Sequence, residues 1–289
     1  MILLTGASGS IGRHLVRSLR DGDITAFVRN AKTGDELGCP YIVGDFDDPD
    51  SIAAAVKGAD RVFLNAGGVQ PVNGEQPMIR QQRSVIDAAV EAGVDHIVKV
   101  SVWHAREGGR LAEGAHGVIE EHLKASGIGW SLLQPSGFMQ NFRTGAGAFV
   151  EDGNILGAYG DSRVSYVDCV DIAACAAALL AGEPRHGGTF VLTGPQALTH
   201  AEIAARLSTV ADREIRYVDL PAQAFADRLA SAGLPEAFAQ DVAALFTEVA
   251  EGKLATTTTA VADLIGRPPR AFEEFLHDEA VPVRAAWAN

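Results

Sequence analysis

The hydrophobic pattern opens with a short apolar run, Ile2, Leu3 and Leu4, and then breaks at Gly6, Gly9 and Gly12, three glycines at every third position. Ile11, Leu15, Val16 and Leu19 follow at helical spacing. This order reads as strand, tight turn and helix. Apolar runs of strand length return at 24–28, 41–44, 61–65, 96–102 and 130–135, the last ended by Pro135. Between them, Asp47, Asp48 and Pro49 open a helix, 78–92 is helical in period and stops at Gly93, and 115–127 stops at Gly127. Asp47, Asp48 and Asp50 suit helix caps better than ligands. Strand and helix in strict alternation predict an α/β fold, a doubly wound parallel sheet with right-handed crossovers.

Beyond residue 150 the alternation loosens. Asp168 is placed to cap an apolar helix running to Leu180, and 189–193 is a strand. Thr199 and Glu202 form a capping box before another helix, 215–219 is a strand, and 222–232 and 235–251 are helical in pattern. The tail is polar from Thr256 and then compact around Phe272, Phe275 and Leu276. The expectation is a first domain over 1–150 and a smaller mixed α/β lobe over 151–289, with a substrate cleft between them. Later segments are able to join the first domain's sheet.

The opening glycines suit a dinucleotide site of Rossmann type. They let the chain turn sharply and let a pyrophosphate approach the backbone, while the N–H groups at the helix start supply counter-charge. Gly6, Ser8, Gly9, Ser10 and Ile11 make up that loop. The plain alternative is a Gly-rich turn, and the strand before it and helix after it favour the nucleotide site. At the exit of the second strand a carboxylate selects a ribose 2′-hydroxyl and a cation a 2′-phosphate. Arg29 stands there with Lys32 nearby, which points to NADP(H) rather than NAD, the alternative being a solvated arginine at a strand end.

Asp45 and Phe46, at the exit of the third strand, are placed for the adenine. The fourth strand leaves through Asn65, Ala66 and Gly67, small enough for a cofactor to lie against the backbone. The fifth and sixth deliver Ser101, Trp103 and His104, then Pro135, Gly137 and Phe138, to the carboxyl edge, where open sheets bind ligands. Phe138 and Phe142 read as core or as an apolar wall around a flat ligand, and their position favours the wall. His116, Glu120 and Lys124 recur four apart on one stripe of the helix 115–127. Either this stripe faces a nicotinamide, with His116 charged beside Glu120 and able to donate a proton, or it is a solvated Glu–Lys pair with a histidine near the helix start.

Composition narrows the partners. The 289 residues are 47% hydrophobic with a net charge of −13, which argues against a nucleic acid or an anionic membrane. No apolar run approaches membrane-spanning length, and the chain opens directly on a strand without room for a leader, so a cytoplasmic monomer or homodimer is expected. Cys39, Cys169 and Cys175 are odd in number and lack CxxC spacing, which suggests buried thiols and no metal site.

Taken together, Thr5 to Gly12, Val28-Arg29, Gly44-Asp45, His116 to Gly127, Leu133-Gln134-Pro135, Phe138 to Asn141, Asp171-Ile172-Ala173 and Leu192 to Pro195 resemble the NmrA-like, atypical short-chain dehydrogenase/reductases over nearly the whole length. That family includes NADPH-dependent reductases of quinones, azo dyes and triphenylmethane dyes, as well as redox-sensing regulators. The resemblance implies NADP(H) as cofactor. Gly6, Ser8, Gly9, Ser10 and Ile11 would hold the pyrophosphate, and Arg29 the 2′-phosphate. Asp45 and Phe46 would meet the adenine, and Asn65, Ala66, Gly67, Ser101, Pro135 and Gly137 the ribose and nicotinamide. Ser101, His116 and Glu120 would be the catalytic candidates, with Trp103, His116, Phe138 and Phe142 around the substrate.

Two departures bear on the chemistry. Ordinary short-chain dehydrogenases use a Tyr-x-x-x-Lys pair, and none of Tyr41, Tyr159, Tyr166 or Tyr217 has a lysine four residues on. Gln134-Pro135 stands where relatives often carry Arg-Pro, and Asn65-Ala66-Gly67 is closer to the ordinary enzymes. The expected function is NADPH-dependent reduction of a flat conjugated acceptor, which delocalises incoming electrons itself. The alternatives are a non-catalytic NADP(H)-sensing regulator and a ketoreductase or epimerase of a natural-product intermediate.

Overall fold

The structure, a computed structural model, describes residues 1–66, 76–143, 149–183 and 185–288. In chain order the first elements are β1 (Ile2–Leu4), α1 (Ser10–Ser18), β2 (Ile24–Val28), α2 (Ala31–Leu37), β3 (Tyr41–Val43), α3 (Pro49–Val56), β4 (Arg61–Leu64), α4 (Pro77–Glu91), β5 (His96–Val100), α5 (Leu111–Ala125) and β6 (Gly129–Pro135). There follow β7 (Val150–Glu151), β8 (Asn154–Gly157), β9 (Arg163–Val164), α6 (Cys169–Ala181), β10 (Gly188–Leu192), β11 (Leu198–Thr199), α7 (His200–Ala211) and β12 (Tyr217–Asp219). The chain closes with α8 (Ala222–Ser231), α9 (Glu236–Ala250), α10 (Ala260–Ile265), α11 (Phe272–Asp278) and α12 (Ala280–Ala286).

By packing, the chain divides into two compact units. The first comprises Met1–Pro135, Cys169–Leu192 and Ala260–Arg267 and carries a seven-stranded parallel sheet in the order β10-β6-β5-β4-β1-β2-β3. This is the expected Rossmann-type sheet. Its inner strands are covered on both faces, and Leu3, Leu4, Val62, Phe63, Leu64, Ile97 and Val98 are buried without the alternation of a half-exposed strand. From β1 the chain builds outward to β2 and β3, then returns to place β4 on the other side, so the order reverses at β1.

The boundary expected at residue 150 lies elsewhere. The first unit takes nothing from 136 to 168 but gains α6, β10 and α10. The cause is strand pairing, because β10 runs parallel to β6 from Gly188↔Ser131 to Leu192↔Pro135 and extends the sheet. Local chemistry explains a helix absent from the sequence reading, α2. Asn30 caps it by accepting from the Thr33 N–H at 2.9 Å, and Gly38 ends it in the left-handed region. Asp48 caps α3 as expected, accepting from the Asp50 N–H at 3.2 Å. Asp47 does not act as a cap. Its Oδ1 accepts from Arg80 and Gln81 of α4, each at 2.9 Å.

The second unit comprises Ser136–Asp168, Thr193–Thr259 and Pro268–Asn289. It holds a three-stranded sheet, β12-β8-β7, and a β9–β11 ladder. The capping box at the start of α7 forms as expected, with Thr199 and Glu202 bonded reciprocally. Phe272, Phe275 and Leu276 are buried, with Trp287 beside them in the same core. Phe142 belongs to this core and does not form an open apolar wall. Its ring meets Tyr166 and Phe272 edge-on at 5.0 and 5.7 Å, and its carbonyl accepts from Trp287 Nε1 at 2.8 Å. Asp168 accepts from Gln140 at 2.7 Å and from Arg270 at 2.9 Å.

Cys169 and Cys175 are buried, whereas Cys39 is half-exposed. Burial pushes the Cys175 thiol up to about 12. Among the described residues, no helix is long and apolar enough to cross a membrane.

Candidate active site

A groove of about 580 Å³ lies in the first unit where the strand order reverses. It is lined by the exits of four strands: Gly6, Ser8 and Gly9 after β1, Phe27, Val28 and Arg29 at the end of β2, Asp45, Phe46 and Asp47 after β3, and Asn65 and Ala66 after β4. Pro77 and Gln81 close it from α4. Gly6 has φ +62°, and a β-carbon there would meet the Asn65 carbonyl oxygen at 2.1 Å, so the loop rests directly on the β4 exit. The Thr5 hydroxyl accepts from the Asn65 N–H at 2.9 Å and donates to the Phe63 carbonyl, which locks the two strand ends together.

Gly9 is the N-cap of α1, and it supplies no side-chain cap. The first turn also lacks an acidic residue, so its N–H groups keep their unsatisfied positive end. Ser10 and Ile11 lie in that turn. The Ile11 side chain is buried, leaving only its backbone to face a ligand. Arg13 donates from Nε to the Ser8 carbonyl at 2.9 Å and steadies the loop. Arg29 is exposed and makes no hydrogen bond or ion pair with another described residue. Phe46 packs edge-on to Phe27 at 5.2 Å, and Asp45 Oδ1 accepts from the Asp47 N–H at 2.9 Å. Ala66 is held by Gln82, which donates from Nε2 to its carbonyl at 2.7 Å. Gly67 lies outside the described residues. An uncapped helix start, a guanidinium without a partner among the described residues and flat apolar rings suit a phosphorylated dinucleotide.

A second cluster sits between α5 and the neighbouring strands. Lys99 of β5 is fully buried, its Nζ 2.7 Å from His116 Nδ1 and donating to the Val100 carbonyl at 3.1 Å. Burial removes water from the amine and pulls it down to about 7, against the opposing pull of the Glu120 carboxylate. The Ser101 hydroxyl donates to Glu120 Oε1, and Gln134 Nε2 donates to the same oxygen at 2.9 Å. Lys124 reaches Glu120 Oε2 at 3.4 Å and Glu121 at 2.9 Å.

The charged His116, one of the two alternatives for this stripe, is therefore corrected. Burial first, and the Lys99 charge second, hold the ring well below its ordinary range, so it stays neutral near pH 7. Glu120 does not face Nδ1; an amine does. Nor is the stripe solvated, since His116 and Glu120 are 9% and 3% exposed. The helix starts a turn earlier than expected, at Leu111, and His116 and Glu120 lie on its buried side.

Trp103 is half-buried, its ring stacks on His104 at 4.7 Å, and its backbone N–H donates to the Pro135 carbonyl at 3.0 Å. Gly137 and Phe138 belong to the second unit. There Gly137 lies so near the Tyr166 ring that a β-carbon would meet it at 2.8 Å, and Phe138 bridges to Val167.

The profile of the NmrA-like family matches residues 1–276. The chain belongs to the NmrA-like family. This NmrA-like chain is 34% identical to the NAD(P)H azoreductase of Xenophilus azovorans, over 99% of its own length and 100% of that protein. Among solved structures it resembles the NADPH-dependent quinone oxidoreductase of Escherichia coli complexed with NADPH. There the TM-score is 0.82 and the identity 29%, across 96% of this chain and 99% of that one. It also resembles the Citrobacter sp. triphenylmethane reductase complexed with NADP(H), with TM-score 0.80 and 26% identity across 99% and 100% of the two chains.

Within this NmrA-like fold the sequence reading overlooked Lys99, Gln81, Gln82 and the bridging role of Asp47. Lys99 had a legible signal, a lysine inside the apolar run Ile97 to Val100 of a central strand. The others had none, because their partners lie 16 to 34 residues away in the chain.

Proposed function

We propose that this protein is an NADPH-dependent reductase of flat conjugated acceptors, such as quinones or azo compounds. The observation that carries the reading is the groove at the sheet's reversal point, with its uncapped helix start and the partnerless Arg29 at the β2 exit. NADPH, when bound, supplies the hydride. Gly6, Ser8, Gly9, Ser10 and Ile11 receive the pyrophosphate through backbone N–H groups, and Arg29 receives the 2′-phosphate. Phe46 and Asp45 flank the adenine, and Asn65, Ala66, Ser101 and Pro135 the ribose and nicotinamide. Trp103 offers an aromatic face to the acceptor.

Glu120 accepts from Ser101, Gln134 and Lys124 and so serves to position them. A conjugated acceptor suits a site without a Tyr-x-x-x-Lys pair, because positioning supplies most of its rate enhancement. The azo, quinone and dye reductases among the relatives support the same acceptor class. The test is NADPH oxidation, followed by absorbance, against a panel of quinones, azo dyes and cationic triphenylmethane dyes. Turnover of at least one class is expected. Tight NADPH binding without turnover of any would reject the proposal.

A further inference from the structure

Lys99 is a fully buried cation of the first unit's sheet and is not among the residues that line the groove. It stands on an inner strand, paired in register with Leu64 on one side and Leu132 on the other. An amine placed there is costly unless it has a specific partner. Its partner is an imidazole nitrogen, and the geometry fixes the direction of the bond. An ammonium has no lone pair, so His116 Nδ1 accepts whenever Lys99 is charged, and the remaining proton of the neutral ring sits on Nε2.

Nε2 makes no hydrogen bond to any described residue, and it is not among the buried unpaired atoms, so the ring's small exposure includes it. The helix α5 runs antiparallel to the strands it follows. Its N-terminal half, which carries His116, therefore lies toward the carboxyl edge, on the same side as the exits that line the groove.

We propose that His116 and Lys99 form a two-step proton relay, in which His116 Nε2–H protonates the reduced acceptor while the Lys99 ammonium refills Nδ1. The inference rests on the reductase reading. A quinone that has gained a hydride carries its charge on oxygen. Nε2–H gives its proton to that oxygen, and Nδ1 takes one from the ammonium, so the ring is neutral before and after and Lys99 ends as the free amine. Neutral imidazole alone is far too weak an acid, and simultaneous protonation at Nδ1 removes that obstacle. The amine, poised by burial near neutrality, recovers its proton as water re-protonates Nε2 and Nδ1 returns its own. His116 is thus a catalytic residue and Lys99 acts through it.

The test compares two acceptors with different proton demands. A para-quinone needs a hydride and a proton, whereas a cationic triphenylmethane dye becomes neutral on gaining a hydride at carbon. Lys99→Met is expected to lower kcat for the quinone at least tenfold more than kcat for the dye, and an equal loss on both overturns the relay. A second readout needs no turnover and no variant: ¹⁵N NMR of the native protein's imidazoles. It should show His116 neutral between pH 6 and 8, with Nε2 protonated and Nδ1 bare at the acid end. An imidazolium, or the Nδ1–H tautomer at pH 6, overturns the proposal. Failure of the native protein to reduce either acceptor strikes the reductase reading instead, and the tautomer then decides whether the pair is built as described.

Discussion

Gly12 faces the carbonyl of Gly6 so closely that a β-carbon on it would lie 2.2 Å from that oxygen and 2.5 Å from the Ala7 α-carbon. The atoms in the way are backbone, and no rotamer relieves them. Gly12→Ala must push the first turn of α1 off the loop. We expect a loss of about 1–3 kcal/mol in stability, the range of an overpacked core site. NADPH affinity should fall at least tenfold, because the N–H groups move with the turn. Urea unfolding and fluorescence titration of NADPH check the two effects.

Arg29→Ala separates the two nicotinamide cofactors. A charge-assisted contact to a phosphate contributes about 1.5–3 kcal/mol, so NADPH should bind roughly ten- to a hundredfold more weakly while NADH is unaffected. Stability should change by less than about 0.5 kcal/mol, since the side chain is exposed and unpartnered. An equal loss for both cofactors in calorimetry would return Arg29 to the ordinary surface.

Lys99 predicts how stability varies with pH. Its folded value, about 7, lies below the ordinary 10.5, so between these values the unfolded chain binds more protons and stability rises with pH. Below about 7 the folded state carries the full cost of a buried charge. The groups facing the amine are His116 and Glu120 of α5, and the carboxylate's pull toward the charged form is already included in the balance. Lys99→Met should flatten this dependence. Its gain relative to the native protein should be greater at pH 6 than at pH 9 by on the order of 2 kcal/mol in urea unfolding.

Trp287 anchors the second unit's core from the far end of the chain. Trp287→Phe leaves the Phe142 carbonyl without its indole donor and should cost about 1–3 kcal/mol. Trp287→Ala also opens a cavity, and about 3–5 kcal/mol is expected. Equal losses for the two variants in thermal or urea unfolding would show that the hydrogen bond dominates.

Elements whose physics is local were legible in the chain. The glycine loop, the strands around it and the Thr199–Glu202 box follow from spacing and capping chemistry alone. The groove was legible too, because the exits of parallel strands gather at one edge once alternation is recognised. What escaped depends on pairing over distance. That β10 joins β6 is set by which edge strand is free, and nothing in residues 188–192 states it. His116 was found as a residue, yet neither the charged ring beside Glu120 nor the solvated histidine describes it, since helical spacing puts Glu120 beside it while the fold buries it against Lys99. Phe142 was misplaced for a similar reason, as its aromatic neighbours lie up to 130 residues further along the chain.

The division of the chain into interleaved units constrains how it can be made and recombined. It passes from one unit to the other at Pro135–Ser136, Asp168–Cys169, Leu192–Thr193, Thr259–Ala260 and Arg267–Pro268. A nascent polypeptide leaving the ribosome therefore holds neither unit whole until residues 260–267 have emerged, and α10, which belongs with the first sheet, follows two segments of the second unit. No single cut in the gene isolates either half. Exchanging the second unit for a different one would require every one of those junctions to be matched at once, so such a chain is more readily altered by substitutions within a unit than by exchange of the unit itself.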